Sequence, residues 1–455
     1  MTHRDSIDWG RADIGKLYLK ILMPTLLSMV SGILVTIADG FFVGRYVGSD
    51  ALAAVNISAP LFLFSTAFAL MFGVGCSVVT SVHLSQGKNK AANINVTQAV
   101  VVSSLLFSII SGYIFFNSES VAVMLGATER LLPMVETYVR ILSLSMAFYM
   151  LENIGLFIIR LDGSPNIAMW CVMFPSILNI VGDYILVAHY DMGIRGAVIA
   201  TSGSIIIAGV MVVVYMLFFS KVLKLYRLKL SIKSLLLTCR NIGYMVRLGS
   251  AAFLGEMAIA VMMFVGNYTF LKYYGEDGIA AYSIICYYFP IIFMVNNAIS
   301  QSAQPIISYN YGAGLSDRVR KSFRLTILYG VGFATVITAA VMLFAPQMVG
   351  FFLNSSYPAY DIASYGMPLF ATGYIFFALN MMFMGYYQSI EDYKTANIIS
   401  VLRGYVLLIA LFLAMPAVFG KVGIWLAVPA AEVITLVVVL ALYRVNKKRG
   451  DKPTP

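Results

Sequence analysis

The 455-residue chain is 60 % hydrophobic and only 11 % charged, with a mean hydropathy of +0.85. No water-soluble domain of that length tolerates so apolar a composition, so soluble enzymes and soluble binding modules are excluded and a polytopic membrane protein is indicated. The formal net charge of +10 does not indicate a nucleic-acid partner, because its distribution follows the membrane.

No cleavable leader is expected. The chain opens with Arg4, Asp5, Asp8 and Arg11, and the first apolar run is long enough to span. Apolar runs of spanning length follow in order at about 17–43, 52–78, 95–116, 132–158, 166–188 and 194–219. Six more lie at about 244–270, 279–305, 324–344, 362–388, 396–416 and 422–443. The sequence therefore predicts an all-α polytopic protein of twelve transmembrane helices.

An even number of crossings puts both termini on one side, and the basic residues select it. Arg4, Arg11, Lys16 and Lys20 precede the first span, and Lys88 and Lys90 separate the second from the third. Lys221, Lys224, Arg227, Lys229, Lys233, Arg240 and Arg247 crowd the central connection, and Arg318, Arg320, Lys321 and Arg324 the eighth. Arg444, Lys447, Lys448, Arg449 and Lys452 close the chain. The opposite connections hold only scattered charges such as Arg45, Arg130, Arg195, Lys272 and Lys421. By the positive-inside rule both termini are cytoplasmic. The cysteines Cys76, Cys171, Cys239 and Cys286 lie far apart without CxxC spacing and read as small apolar fillers.

The central basic connection divides the chain into an amino-terminal lobe (1–219), a cytoplasmic linker (220–240) and a carboxy-terminal lobe (241–455). The lobes repeat. Gly48, Asp50, Ala53 and Ala54 reappear as Gly275, Asp277, Ala280 and Ala281, a spacing of 227 residues (275 minus 48). At the same spacing Ser81 meets Ser308, Gly87 meets Gly314, Tyr138 meets Tyr365 and Asn153 meets Asn380. Gly193 likewise meets Gly420. An even number of crossings per repeat gives both lobes one orientation, so two pseudo-symmetric six-helix bundles around a central cavity are expected, as in parallel-repeat transporters.

The fifth span is unusual. It carries Asn179 and Asp183, four residues apart and so on one helical face. A carboxylate at bilayer depth costs roughly 2.5–3.5 kcal/mol even on the lenient insertion scale, and such residues have partners and tasks. The glycines and prolines inside spans (Pro24, Gly73, Gly75, Pro175, Pro290, Pro305) are candidate bends for alternating access. The 25 methionines and 30 phenylalanines suit a pliable cavity, and equally suit lipid-facing helices.

Several segments resemble the multidrug and toxic compound extrusion (MATE) transporters. Ala38–Pro60, Arg160–Met169, Leu178–Leu186 (LNIVGDYIL) and Gly193–Thr201 (GIRGAVIAT) look like the first half of that family, and Gly266–Ile284 and Gln301–Arg320 its second half. The resemblance covers nearly the whole chain. It implies cation-coupled antiport of organic, mainly cationic, compounds and other amphiphilic drugs. Similarity to the bacterial DinF-like and related branches implies a cation site at Asp39, Asn179, Asp183 and Thr201, with sodium or a proton as coupling ion and no cofactor. One departure is the tenth span, Phe370–Gln388, which has no acidic residue where some branches carry one.

Depth arithmetic agrees with that site. At 1.5 Å per residue Asp39 lies about 6 Å inside the outer end of its span, and Asp183 and Thr201 roughly 8–11 Å. Their oxygens suit a hard cation; two nearby carboxylates also favour a shared proton. The plainer alternative is that Asp39 caps or kinks its helix near Gly40 and Asp183 bonds a neighbouring span. Glu256, near mid-membrane on the seventh span, matches a family position that helps bind substrate or cation. Glu152 and Glu432 are further candidates for substrate contact, unless they pair with Arg140 or Arg403. Asn153 and Asn380 read as interhelical hydrogen-bonders.

There is no GxxxxGK[ST], so the energy for transport comes from an ion gradient rather than from a phosphate-binding domain in this chain. His3, His83 and His189 are dispersed, with no HExxH or GxSxG, so the chain is not expected to be an enzyme. The expected protein is a secondary multidrug antiporter of a bacterial or archaeal cell membrane, working as a monomer among membrane lipids. The alternative is a lipid-linked oligosaccharide flippase of the same fold superfamily, which Arg140 and Arg403 keep open.

Overall fold

The computed structural model describes residues 7–229 and 231–449. Arg4, Asp5, His3 and Lys452, on which part of the sequence reading draws, lie outside them. Regular structure among the described residues is helical throughout. The first half holds α1 (Ile14–Phe42), α2 (Ser49–Ser85), α3 (Asn89–Phe116), α4 (Ser118–Met124), α5 (Leu132–Ser143), α6 (Met146–Leu161), α7 (Pro165–Asp183) and α8 (Gly193–Val214). The second half holds α9 (Ile232–Tyr274), α10 (Glu276–Gly312), α11 (Ser316–Gly350), α12 (Pro358–Ala371), α13 (Tyr374–Ser389), α14 (Tyr393–Val401) and α15 (Leu407–Arg449).

Nine helical stretches among the described residues are long and apolar enough to cross a bilayer; counting each of two bent pairs as one span makes eleven. The pairs are α5 with α6, bent by 52°, and α12 with α13, bent by 44°. At each bend a hydroxyl takes the carbonyl three residues back: Ser145 donates to Leu142 O at 2.8 Å and Thr372 to Leu369 O at 2.6 Å. Such bonds compete with the helical ladder and bend it. The expected eleventh and twelfth spans are the two arms of one 52-residue stretch, Tyr393–Arg444, which Gly420 interrupts with φ 59° and ψ −144°.

The sequence repeat is also a repeat of structure. Shifted by 227 residues, both ends of α2 fall on the ends of α10, the start of α3 falls on the start of α11, and Ser145 falls on Thr372. Gly48, Gly87 and Gly193 have positive φ, as do Gly275, Gly314 and Gly420. A side chain is disfavoured in that region, so the same chain reversals fix glycine in both halves.

Contacts gather the described residues into two compact units. Unit 1 holds residues 7–12 and Leu19–Gly249; unit 2 holds Asp13–Tyr18 and the residues from Ser250 onward. In unit 1, α6 packs on α2, α3 and α8, and α7 on α8. Helix α2 is central: 72 % of its apolar window is buried, against 28 % for α3. Gly73 and Gly75, expected as bends, instead serve close approach. A Cβ on Gly73 would strike the Phe157 ring, and one on Gly75 the carbonyl of Met245. Reciprocally, a Cβ on Gly249 would strike the carbonyl of Met71.

The connection after α8 is anchored by Asp162, a buried residue closing α6. Its carboxylate accepts from Tyr215 Oη and Lys221 N, both at 2.7 Å, and from Val222 N at 2.7 Å and Leu223 N at 2.8 Å. Four donors satisfy a buried carboxylate that would otherwise be strongly unfavourable. The chain is helical again from Ile232, so Lys233, Arg240 and Arg247 stand on α9. That helix is about 65 Å long at 1.5 Å per residue, beyond the ~30 Å hydrocarbon thickness.

In unit 2, α10 packs on α11, α12 and α13. Phe270 stacks on Tyr282 at 4.5 Å between centroids and meets Trp425 edge-on at 4.6 Å. Tyr18 donates to Ile299 O at 2.7 Å and stacks on Tyr329 at 5.2 Å.

Candidate functional site

Three helices of unit 1 converge on one polar cluster. Helix α7 ends at Asp183 and continues as a π-helical stretch, Tyr184–His189; α1 passes into another, Val43–Val47, four residues after Asp39. Such wide turns are frequent where a helix presents side chains for function. Gly182 lets α7 approach α8 closely, since a Cβ there would lie 3.0 Å from that of Ala200. That close approach sets Asn179 of α7 against Thr201 of α8.

Asn179, 1 % exposed, is the bridge. With its amide turned to suit its partners, the nitrogen donates to Asp39 Oδ1 at 3.0 Å and the oxygen accepts from Thr201 N at 3.2 Å. Asp183 is fully buried and lies within hydrogen-bonding reach of the Asp39 carboxyl. Neither Asp183 oxygen has a donor among the described residues. Two carboxylate oxygens are both acceptors, so this approach requires a proton or a cation between them. The family resemblance implies Asp39, Asn179, Asp183 and Thr201 as one group, with depth in agreement; in the structure Asn179 links Asp39 to Thr201, and Asp183 adjoins Asp39.

Asp39, Asn179 and Thr201 form part of the wall of a cavity of about 480 Å³, and Asp183 lies behind that wall. Tyr138 of α5 lines it too, buried and within reach of Thr201. Sequence reasoning had paired Tyr138 with Tyr365 in the repeat and given it no place in the site. The donor set is two carboxylates, an amide and hydroxyls, and among the described residues no group of three or more His, Cys, Asp or Glu is placed to hold a metal ion. That set fits a hard monovalent cation or a proton and does not fit a soft transition metal.

The other acidic candidates separate. Glu152 of α6 lines the same cavity as Asp39. Arg140, its suggested partner, is exposed and lies over the Phe115 ring, 4.9 Å from the centroid. Glu256 on α9 is half-buried and adjoins Gly255, which lines a small cavity of unit 2. Glu432 does pair with Arg403. Arg403 Nε and Nη2 donate to Glu432 Oε1 at 3.1 and 3.0 Å, and Asn380 Nδ2 donates to Oε2 at 2.7 Å. Asn380 thus bonds between helices as expected. Asn153 does not: it donates to Tyr149 O within its own helix at 2.9 Å.

The MatE family model matches residues 24–185 and again 251–413, one match in each half of the repeat. "Multidrug export protein MepA" of Staphylococcus saprophyticus is 25 % identical over 427 residues, covering 93 % of this chain and 91 % of the relative. The protein of that name from Staphylococcus aureus strain MSSA476 is 26 % identical over 428 residues, covering 93 % and 92 %. Among solved structures, a MOP superfamily transporter from Pyrococcus furiosus superposes with a TM-score of 0.87 at 20 % identity, covering 96 % of each chain. A multidrug resistance MATE family transporter in an outward-facing conformation gives 0.87 at 21 % identity, again over 96 % of each chain.

Proposed function

The chain belongs to the MatE family, and from that premise we propose that it is a secondary multidrug efflux transporter, exchanging inward-moving sodium ions or protons for organic, mainly cationic, compounds. The observation that carries this reading is the Asp39/Asp183 pair: Asp39 lines the large cavity, and the neighbouring Asp183 has two buried oxygens with no donor among the described residues. A cation or proton between the carboxylates relieves their repulsion; its departure restores it, and the cavity must then change. Asn179 and Thr201 orient the pair and complete the oxygen set. The names of the staphylococcal relatives support drugs as cargo. The driving force is adequate: one charge falling through ~150 mV yields roughly 3.5 kcal/mol, enough for a gradient of a few hundred-fold.

The position of Glu152 on the same cavity supports a carboxylate that meets a cationic substrate, with Glu256 as a second candidate. The flippase reading loses its support. Arg140 is exposed, and Arg403 is neutralised by Glu432. The positive-inside pattern supports cytoplasmic termini, and the staphylococcal relatives support a bacterial or archaeal cell membrane. Purified protein in proteoliposomes tests the proposal: a sodium or proton gradient should drive uphill movement of a cationic dye. Dye movement indifferent to both gradients, with lipid-linked sugar translocated instead, would overturn it.

A further inference from the structure

The two halves do not carry equivalent interiors. Gly32, Val35, Phe62, Ser176, Thr201 and Ile205 line the large cavity of unit 1. Positions 227 residues later are Ile259, Met262, Phe289, Arg403, Val428 and Glu432, and all six line the small cavity of unit 2. The two cavities are therefore repeat-related, yet one measures about 480 Å³ and the other about 30 Å³, room for roughly two waters. The cation-site donors are also gone: Asp39, Asn179, Asp183 and Thr201 correspond to Gly266, Val406, Ala410 and Val428.

A buried ion pair stands at other positions of the same cavity. Where unit 1 has Ser176 and Ile205, unit 2 has Arg403 and Glu432, only 8 % and 4 % exposed. The guanidinium is fully engaged. Two of its nitrogens hold Glu432 Oε1, the third contacts Met381 Sδ at 2.9 Å, and its flat face lies 4.4 Å from the Phe377 centroid. Asn380 occupies the other carboxylate oxygen. Glu432 has no vacant oxygen to offer a mobile ion.

We propose that Arg403 is a tethered cation: inside the cavity of unit 2 that is repeat-related to the cavity of unit 1, it permanently compensates the charge of Glu432, as a mobile cation would the carboxylates of unit 1, so that Glu432 takes no part in ion exchange and coupling is confined to unit 1. The inference deepens the antiporter reading and rests on it for the role of unit 1. Arg403 is a positioning residue. It holds Glu432 charged, immobile and closed to ions.

Dicyclohexylcarbodiimide tests this, because it reacts with protonated carboxyls in apolar surroundings and spares carboxylates locked to arginine. Full-length protein in detergent is treated, digested and read by mass spectrometry. In the wild type Glu432 should remain unlabelled. In Arg403→Gln its labelling should rise on the order of tenfold or more, since a carboxylate deprived of its partner in so dry a place takes up a proton. Arg403→Lys should stay unlabelled, because the ammonium keeps the charge. Should Arg403→Gln fail to yield monodisperse protein, the wild type and Arg403→Lys still decide the matter. Glu432 labelled in either, or unlabelled in a folded Arg403→Gln, overturns the proposal. Absence of label at Asp39 and Asp183 in the wild type, with Glu432 behaving as expected, would count against the coupling site of unit 1 alone.

Discussion

Asp183 approaches the carboxyl of Asp39 with both of its own oxygens buried and without a donor. Among the described residues no cationic side chain pairs with either carboxylate, and only Asn179 donates to Asp39, whereas Asp162 is held by four donors and Glu432 by Arg403 and Asn380. A carboxylate pair without a counter-ion is unfavourable for stability, and its retention fits a site that ions enter and leave. Asp39→Asn and Asp183→Asn should each reduce gradient-driven dye accumulation to background. Neither should lower the melting temperature, because each removes like-charge repulsion. Full accumulation by both variants in proteoliposomes would eliminate this pair as the coupling site.

The site was legible because polar atoms at membrane depth are costly and therefore few. Asn179 and Asp183 announce a shared helical face by their spacing alone, whereas Asp39 and Thr201 join them through the family resemblance, with which depth agrees. Tyr138 was not legible, since a tyrosine on a helix with an apolar face reads as core until its hydroxyl is seen near Thr201. Partner choice was equally hidden. Sequence left Glu152 and Glu432 open to Arg140 and Arg403, and only packing shows Arg140 turned onto Phe115. The span count was legible from apolar runs, while the break separating the last two rests on one glycine, Gly420, readable beforehand only through its match to Gly193.

Orientation has a built-in reporter. Cys239 is exposed and stands among the basic residues of the central connection, whereas Cys76 and Cys171 are buried. A membrane-impermeant maleimide should label Cys239 in inverted vesicles and leave it unlabelled in intact cells. Lys88→Cys and Arg320→Cys, each in a Cys239→Ser background, should behave the same way. Labelling of these positions from outside the cell would invert the topology.

Asp162 makes a structural prediction separate from transport. Asp162→Ala leaves the amides of Lys221, Val222 and Leu223 and the Tyr215 hydroxyl without their acceptor. Hydrogen bonds to a charged group contribute about 1.5–3 kcal/mol each, so a loss of several kcal/mol and a clear fall in melting temperature are expected. Limited proteolysis should then cut the 220–229 segment sooner than in the wild type. An unchanged digestion pattern would mean that the anchor does not hold this connection in place.

A role for Glu152 or Glu256 in meeting substrate charge can be measured. Glu152 lines the large cavity with Asp39, whereas Glu256 adjoins the small one through Gly255. A carboxylate about 6 Å from a bound organic cation, at an effective dielectric near 20, stabilises it by roughly 2–3 kcal/mol. Glu152→Gln should therefore weaken binding of a cationic dye by between about ten- and a hundredfold, and that of a neutral compound of similar size little. Glu256→Gln should produce a smaller selective loss if substrate occupies the cavity of unit 1. Fluorescence-polarisation affinities for both ligands in detergent, across wild type and the two variants, separate the possibilities. Equal loss for charged and neutral ligands in Glu152→Gln would reduce that residue to a packing role, and a selective loss confined to Glu256→Gln would move the substrate's charge to unit 2.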